Sequence, residues 1–221
     1  MSMGTTALII FIRFPCPGKV KARLARTLGS EKAAVFYRLC ARQIVGELDR
    51  VPGEVKKYLS YSDKSDKDEL QHWIGYRFRL IPQAEGDLGQ RLEQSFRSFL
   101  EGVSGKAIIM ASDVPDLSKD IINDAVSALD NHDLVIGPCN DGGYYLIGMK
   151  KPHGELFEGI SWSTNKVLEQ TLAIAGKQRL SVFSLITLRD IDTEDDLEEW
   201  VRTSEGINNP ILEYARAVLS R

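Results

Sequence analysis

Five cations crowd the stretch FIRFPCPGKVKARLARTLG, residues 11–29: Arg13, Lys19, Lys21, Arg23 and Arg26. Lys19, Lys21 and Arg23 stand at alternate positions directly behind Pro15, Pro17 and Gly18. The prolines restrict the loop, and a glycine lets backbone N–H groups approach an anion closely. Cations at the start of the following element supply the charge that a di- or triphosphate needs. This reading makes Gly18, Lys19, Lys21 and Arg23 phosphate ligands, with Arg13 just upstream. The alternative is a solvated basic face between a loop and a helix.

Carboxylates form the second set. Asp113, in IIMASDVPDL, leaves the end of a strongly apolar run, where an unpaired carboxylate is expensive. Magnesium, or manganese in its place, would offset that cost by bridging the carboxylate to substrate phosphates. Capping or turn bonding would also account for Asp113, and Asp116 reads as a turn or cap residue before Ser118. Asp192, in RDIDTEDDL, follows the last apolar run in the same way, so the two carboxylates could share one ion if those strand ends are neighbours. D-T-E-D-D is also how a helix with an acidic first turn begins.

Three weaker signals complete the set. In AEGDLGQRL, Gly86 and Gly89 open the backbone around Asp87 at a helix start, which suits an anion or a polar base edge, although a plain Asp87 cap explains it equally. NDGGYYLIG is a turn signal in which Asp141, with Gly142 and Gly143, could face an acceptor. Trp162 could stack on that acceptor or lie in the core. His72, His132 and His153 form no pattern, and Cys16, though flanked by cations, reads as structural.

Positioning these groups requires strands that end together. β-rich runs occur at 7–12, 55–61, 78–81, 106–111, 134–137, 144–149 and 181–188. Segments of helical period, such as 31–48, 88–100, 121–129 and 166–175, lie between most of them. That alternation predicts an α/β fold: a mostly parallel sheet with helices on both faces. Only PCNDGG separates 134–137 from 144–149, too short for a crossover, so this pair should be antiparallel and the sheet mixed. Thr193 is placed to cap a helix over 194–201 with Asp196 in a capping box, and Asn209-Pro210 opens a last amphipathic helix. In such sheets ligands bind beyond the carboxyl ends of the strands, where all these segments would lie.

Two familiar phosphate motifs are missing. Arg13 stands where a P-loop needs its first glycine, and Val20 replaces the hydroxyl that meets magnesium. No G-x-G-x-x-G follows any strand. With 221 residues and no repeats or linker, the chain reads as one domain, 1–221. A net charge of −3 offers no field for nucleic acid or anionic lipid. The apolar run at 7–12 is too short to span a bilayer. Three scattered cysteines without C-x-x-C suit a reducing compartment, so the cytoplasm is expected.

Taken together, FIRFPCPGKVKARL, GDLGQRL, SDVPDL, GPCNDGGYYLIGM, LFEGISWST and DIDTEDDL, in this order across roughly residues 7 to 200, resemble a known family. It is the glycosyltransferase-A-like family of unknown function in the nucleotide-diphospho-sugar transferase superfamily. A more distant likeness is to 2-phospholactate guanylyltransferases, through K-x-R-L after the first strand, the mid-chain Asp-x-Pro and D-T-x-D-D-L. The resemblance implies a three-layer α/β/α sandwich and divalent-metal-dependent transfer from a nucleotide donor. By this resemblance Gly18, Lys19, Lys21 and Arg23 hold donor phosphates, and Gly86, Asp87 and Gly89 lie near base or ribose. Asp113 binds the metal, Asp192 is the second metal ligand, and Asp141, Gly142 and Gly143 face the acceptor. Ala22 departs from the threonine common in the family, and the G-G-x-S-x-R-M-G loop of related nucleotidyltransferases is absent. The glycosyltransferase Asp-x-Asp is missing, Asp113-Val114-Pro115-Asp116 being spaced differently.

The leading expectation is nucleotidyl transfer from a nucleoside triphosphate to a small acceptor, with release of pyrophosphate. Lys19, Lys21, Arg23 and Asp113 would carry the chemistry. Such chemistry is mostly positioning and charge stabilisation. A glycosyltransferase using a nucleotide sugar is the alternative. A third reading is a nucleotide-binding module without turnover, meeting a partner through its last helix, and the same helix could join copies of the chain into a homo-oligomer.

Overall fold

The structure, a computed structural model, describes residues 5–62, 67–102, 105–204 and 209–220. Its strands are β1 (Thr6–Ile12), β2 (Val55–Tyr61), β3 (Arg79–Pro82), β4 (Lys106–Met110), β5 (Leu134–Pro138), β6 (Tyr144–Met149) and β7 (Val182–Ser184). Its helices are α1 (Ala22–Leu28), α2 (Ser30–Asp49), α3 (Lys67–Ile74), α4 (Leu88–Leu100), α5 (Lys119–Asn131), α6 (Val167–Lys177), α7 (Glu194–Thr203) and α8 (Pro210–Leu219). The strands form one seven-stranded sheet in the order β3-β2-β1-β4-β6-β5-β7. β6 runs antiparallel to both β4 and β5, and the other pairs are parallel, as the short 138–143 connection predicts.

The central strands are apolar on both faces because helices cover both. Leu8, Ile10 and Ile12 of β1 pack with α2 and α5, while Ala7 and Ile9 face Leu92, Phe96 and Phe99 of α4. This is the three-layer α/β/α arrangement. Outside it, α2 buries a second face: Phe36 and Cys40 join Leu24 of α1, Trp200 of α7 and Leu212 of α8 in a third cluster. Of the apolar positions of the last helix, Ile211, Leu212, Ala215 and Val218 are buried there and Leu219 is half-buried against them. The face that the sequence offered for self-association is thus occupied within the chain. Among the described residues no helix is long and apolar enough to cross a membrane.

The run at 181–188 forms only a three-residue strand. Its neighbour β5 ends in Pro138, which has no N–H to continue the ladder. The Tyr145 hydroxyl donates to the Ile186 carbonyl instead (3.0 Å), and Leu188 rejoins through a single bridge to Cys139. The irregular segment that results carries Asp190 and Asp192 back towards the middle of the sheet.

Candidate active site

The site lies beyond the carboxyl ends of β1 and β4, and Lys21 is at its centre. Lys21 precedes α1 with φ 48° and ψ 50°, a left-handed conformation uncommon for a residue with a Cβ. Its ammonium turns inward, 2.9 Å from Asp113 Oδ2 and 2.9 Å from Asp192 Oδ1, with its side chain only 3% exposed. Burial alone would lower the ammonium's pKa, but the charges of Asp113 and Asp192 outweigh it and the net shift is upward. Burial likewise works to raise Asp192, but Lys21 and then Arg23, at 3.7 Å, hold it below the usual carboxylate range.

Neighbouring elements lock this triad in place. Tyr37 of α2 lies between the two central strand ends: its hydroxyl accepts from the Arg13 amide (3.0 Å) and bonds Ser112 (2.8 Å). Burial pushes the phenol up to about 12, so it stays neutral. Asp116, expected as a local turn or cap, instead accepts from the Trp200 indole N–H (3.0 Å to each oxygen), tying the loop after β4 to α7. Ser118 caps α5 by accepting from the Ile121 amide, and Glu47 of α2 accepts from the Lys119 amide (2.9 Å). The expected Thr193–Asp196 capping box is present at α7. Because those two side chains close the helix start, the Asp192 carboxylate is left for Lys21 and Arg23.

A cleft of two lobes opens over the triad. The first, about 370 Å³, includes Arg13, Gln83, Arg91 and Asp113 in its wall. The second, about 200 Å³, includes Asp113, Asp141, Gly143, Trp162 and Asp190. Leu88, Ala111, Asp113 and Ser163 line both, so Asp113 stands on the seam. A larger hollow of about 530 Å³ between β3 and α4 reaches none of these carboxylates.

The basic lobe owes its charge to residues other than Lys21. Arg91 Nε donates to the Asp87 carbonyl (3.2 Å) and its Nη1 to Gln83 Oε1 (3.2 Å). Gln83 is itself held by the Ser60 carbonyl (2.8 Å). These partners are neutral, so they orient the guanidinium without cancelling its charge. Burial first, and then repulsion from Arg13, lower the Arg91 pKa, with Asp87 opposing. Two guanidinium groups therefore face one cleft.

The second lobe is acidic. Cys139 Sγ and carboxylate oxygens of Asp141 and Asp190 lie within 4.8 Å of one another. Burial, then the charges of Asp141 and Asp192, raise Asp190 to about 6. Burial, followed by repulsion from Asp190, Asp141 and Asp113, pushes the Cys139 thiol up, so it is neutral and offers nothing to a hard cation.

Several sequence expectations are redirected by this geometry. Lys19 and Arg23 face outward with Gly18, but Lys21 between them is turned in and neutralised by two carboxylates. Asp87 and Gln90 form a reciprocal capping box, so the α4 start is closed by its own side chains. Gly86 adopts φ 110°, and a Cβ there would meet Gln90 Oε1 at 2.2 Å. Gly89 is buried beneath Trp162: a Cβ would lie 2.7 Å from the indole nitrogen, so its smallness admits the indole rather than a ligand. Gly142, at φ 87°, lies against the Asn165 carbonyl, and Gly143 donates its N–H to Asp141 Oδ1 at 2.7 Å.

The sequence reading passed over Arg91 and Asp190. Arg91 follows the cap it anchors to, in GDLGQRL, and no local pattern marks it apart from other helix arginines. Asp190 did carry a signal: Asp190-Ile191-Asp192 is an Asp-x-Asp, which the expectation of a missing motif overlooked because it follows β7 and not β4.

The donor atoms suit a hard divalent cation. Oxygens of Asp113 and Asp192 converge on one Lys21 Nζ, which shows that a single positive centre can satisfy both, and neither carboxylate is sealed off (33% and 40% exposed). Asp141 and Asp190 supply a second oxygen pair.

The chain belongs to the family described as "Uncharacterized protein conserved in bacteria (DUF2064)", whose model matches residues 50–164. A solved structure from Desulfovibrio desulfuricans G20, assigned as a nucleotide-diphospho-sugar transferase, superposes with a TM-score of 0.88 at 30% identity, covering 96% of this chain and 94% of its own. The 2-phospho-L-lactate guanylyltransferase of Methanothermobacter thermautotrophicus is 27% identical over 97% of this chain and 91% of its own length. The 4-diphosphocytidyl-2C-methyl-D-erythritol synthase of Anaerococcus prevotii shares the fold, with a TM-score of 0.58 at 13% identity over 98% of this chain and 96% of its own. The fold and these relatives together support a transferase of the nucleotidyl or glycosyl class.

Proposed function

We propose that the protein transfers a nucleoside monophosphate from a nucleoside triphosphate to a small acceptor. The observation that carries this reading is the two-lobed cleft with Asp113 on its seam and Arg13 and Arg91 in one lobe. An acceptor oxygen would attack the α-phosphorus as the bond from that phosphorus to the bridging oxygen breaks, and pyrophosphate would leave with the bond electrons. The name of the guanylyltransferase relative describes the same kind of transfer.

In this reading the triphosphate lies in the basic lobe. Arg91, oriented by Asp87 and Gln83, and Arg13 hold its oxygens, with Lys19, Arg23 and the Gly18 turn at the rim. Lys21 holds Asp113 and Asp192 converged, acting on the donor through those carboxylates. Asp113 and Asp192 would hold magnesium or manganese, which supplies neutralisation of charge on the phosphate oxygens. The acidic lobe, with Asp141, Gly143 and Trp162, takes the acceptor. The unpaired thiols Cys16, Cys40 and Cys139 suit a reducing compartment, and we place the protein in the cytoplasm.

A second reading, glycosyl transfer from a nucleotide sugar, is favoured by one observation: in Asp190-Ile191-Asp192 the first carboxylate lines the acidic lobe and the second pairs with Lys21 in the wall of the basic lobe. The two readings differ in the leaving group. With magnesium, pooled nucleoside triphosphates and an acceptor panel, mass spectrometry should detect pyrophosphate and a nucleoside monophosphate joined to the acceptor. Release of nucleoside diphosphate from a nucleotide sugar, with triphosphates inert, would reverse the assignment. Arg91→Ala should weaken triphosphate binding by about 1–3 kcal/mol, the scale of a charge-assisted hydrogen bond, and leave nucleoside binding unchanged. Equal losses for nucleoside and triphosphate would move Arg91 out of the phosphate site.

A further inference from the structure

The two lobes of the cleft differ in the sign of their charge, and that difference bears on the acceptor. Among the described residues lining the acidic lobe there is no lysine, arginine or histidine, while Asp113, Asp141 and Asp190 all reach it. Lys21, in the wall of the other lobe, is committed to Asp113 and Asp192 at 2.9 Å each, and the exposed Lys166 is not among the lining residues. The guanidinium of Arg189, adjacent to Asp190 in the chain, is directed to Glu199 (3.7 Å). Counting Lys21 and Arg23 against Asp113 and Asp192, that group sums to zero, and among the described residues Asp141 and Asp190 form no ion pair.

A phosphorylated or carboxylated acceptor entering here would bring its charge against two carboxylates with no cation to receive it. Unlike an Arg-lined pocket, the lobe offers an anion neither a charge nor a forked donor. A divalent cation on Asp113 and Asp192 would direct its charge to those carboxylates and to the donor's phosphates. Carboxylates are, in contrast, acceptor-only groups that suit hydroxyl or ammonium donors. Trp162 adds an aromatic surface fixed against Gly89 and partly exposed to the lobe, against which the C–H face of a saturated ring can lie.

We infer that the acceptor of this transferase is a polyhydroxylated compound without negative charge, an uncharged polyol, a sugar or an amino sugar, whose hydroxyl or ammonium groups bond Asp141 and Asp190 beside Trp162. The inference rests on the proposed assignment of the acidic lobe to the acceptor.

Paired probes test it: glucose, glucosamine and glucose 6-phosphate, titrated against the full-length protein with its tryptophan fluorescence as readout. Glucose and glucosamine should bind at least about tenfold more tightly than glucose 6-phosphate, the scale expected when a like charge meets a carboxylate at close range. Asp141→Asn should narrow that ratio severalfold, and Asp141→Lys, at an exposed position, should invert it by drawing the phosphate. Trp162→Phe should remove most of the signal, marking the lobe as its source. Binding of glucose 6-phosphate as tight as glucose, a ratio untouched by either Asp141 variant, or no binding by glucose or glucosamine would overturn the inference. Calorimetry of wild type with magnesium and nucleoside triphosphates separates it from the broader assignment. Nucleotide binding with an anionic acceptor preference sinks the acceptor class alone. Sugar binding without nucleotide binding sinks the transferase reading alone.

Discussion

Two pairs of carboxylates flank the same cleft, and only one has its own cation. Asp113 and Asp192 share Lys21 at 2.9 Å on each side, and Lys21 holds the Asp192 carboxyl below the usual carboxylate range. Asp141 and Asp190 stand beside a neutral thiol, and Asp190 is raised to about 6 by burial and by its acidic neighbours. The difference arises from chain geometry. A lysine that starts a helix in the left-handed conformation can point beneath the sheet edge towards the first pair. The second pair sits on a hairpin turn and on an irregular segment whose one base, Arg189, is directed to Glu199 instead (3.7 Å). A carboxylate pair with a built-in counter-ion is a stable part of the fold. One without is poised for something external, a proton, a cation or a hydrogen-bond donor on a substrate.

The largest effect should come from making the first pair resemble the second. Lys21→Met keeps the stem's packing but leaves two partly buried carboxylates facing each other, with only Arg23, 3.7 Å from Asp192, as a counter-ion. Loss of about 3 kcal/mol is expected, at the low end for a broken buried ion pair because both acids keep some solvent contact. Urea unfolding at neutral pH measures it. Adding Asp192→Asn to Lys21→Met should restore part of the stability, and the loss should fade as pH drops through the carboxylate range, where protonated acids need no counter-ion. A loss that is the same in acid would assign Lys21's contribution to packing instead.

What holds the first pair together was only partly legible in the sequence. Strand ends, the antiparallel pair and the Thr193 cap follow from local patterns: periodicity, a short connection and a capping box. The direction of Lys21 does not, because alternate spacing of Lys19, Lys21 and Arg23 reads as one face until the left-handed turn at Lys21 is known. Nor does the Asp116–Trp200 bond, which joins residues 84 apart and depends on how α7 docks against α2. That bond provides an intermediate test. Trp200→Phe keeps the edge-on contact with Phe36 (centroids 6.3 Å apart) but removes the indole donor, and should cost about 1–2 kcal/mol. Asp116→Asn retains a carbonyl acceptor for the indole and should cost less. The reverse order would show that the carboxylate's charge, and not its acceptor role, matters to the loop after β4.

The smallest effect should come from relieving the second pair. Asp190 is raised from an ordinary 3.8 to about 6, by burial first and then by repulsion from Asp141 and Asp192. Below pH 3.8 the folded and unfolded chains both carry the proton, and Asp190 costs nothing. As pH climbs towards 6, the unfolded chain ionises freely while the folded one resists, so stability falls and then levels off. Asp190→Asn removes this penalty. The variant should match wild type in acid and exceed it above pH 6 by about 1 kcal/mol, the full shift being reduced because the group is partly exposed to solvent. Chemical denaturation of both proteins across pH 3 to 8, a span of about five units around the two values, reads the difference directly. A constant offset would mean that the amide packs better at every pH. A penalty that appears as pH falls would mean that Asp190 is held ionised, and the contrast between the two pairs would disappear. If instead magnesium stabilises wild type above pH 6 by more than it stabilises Asp190→Asn, the second pair binds the ion directly, and the uncompensated charge is part of a metal site.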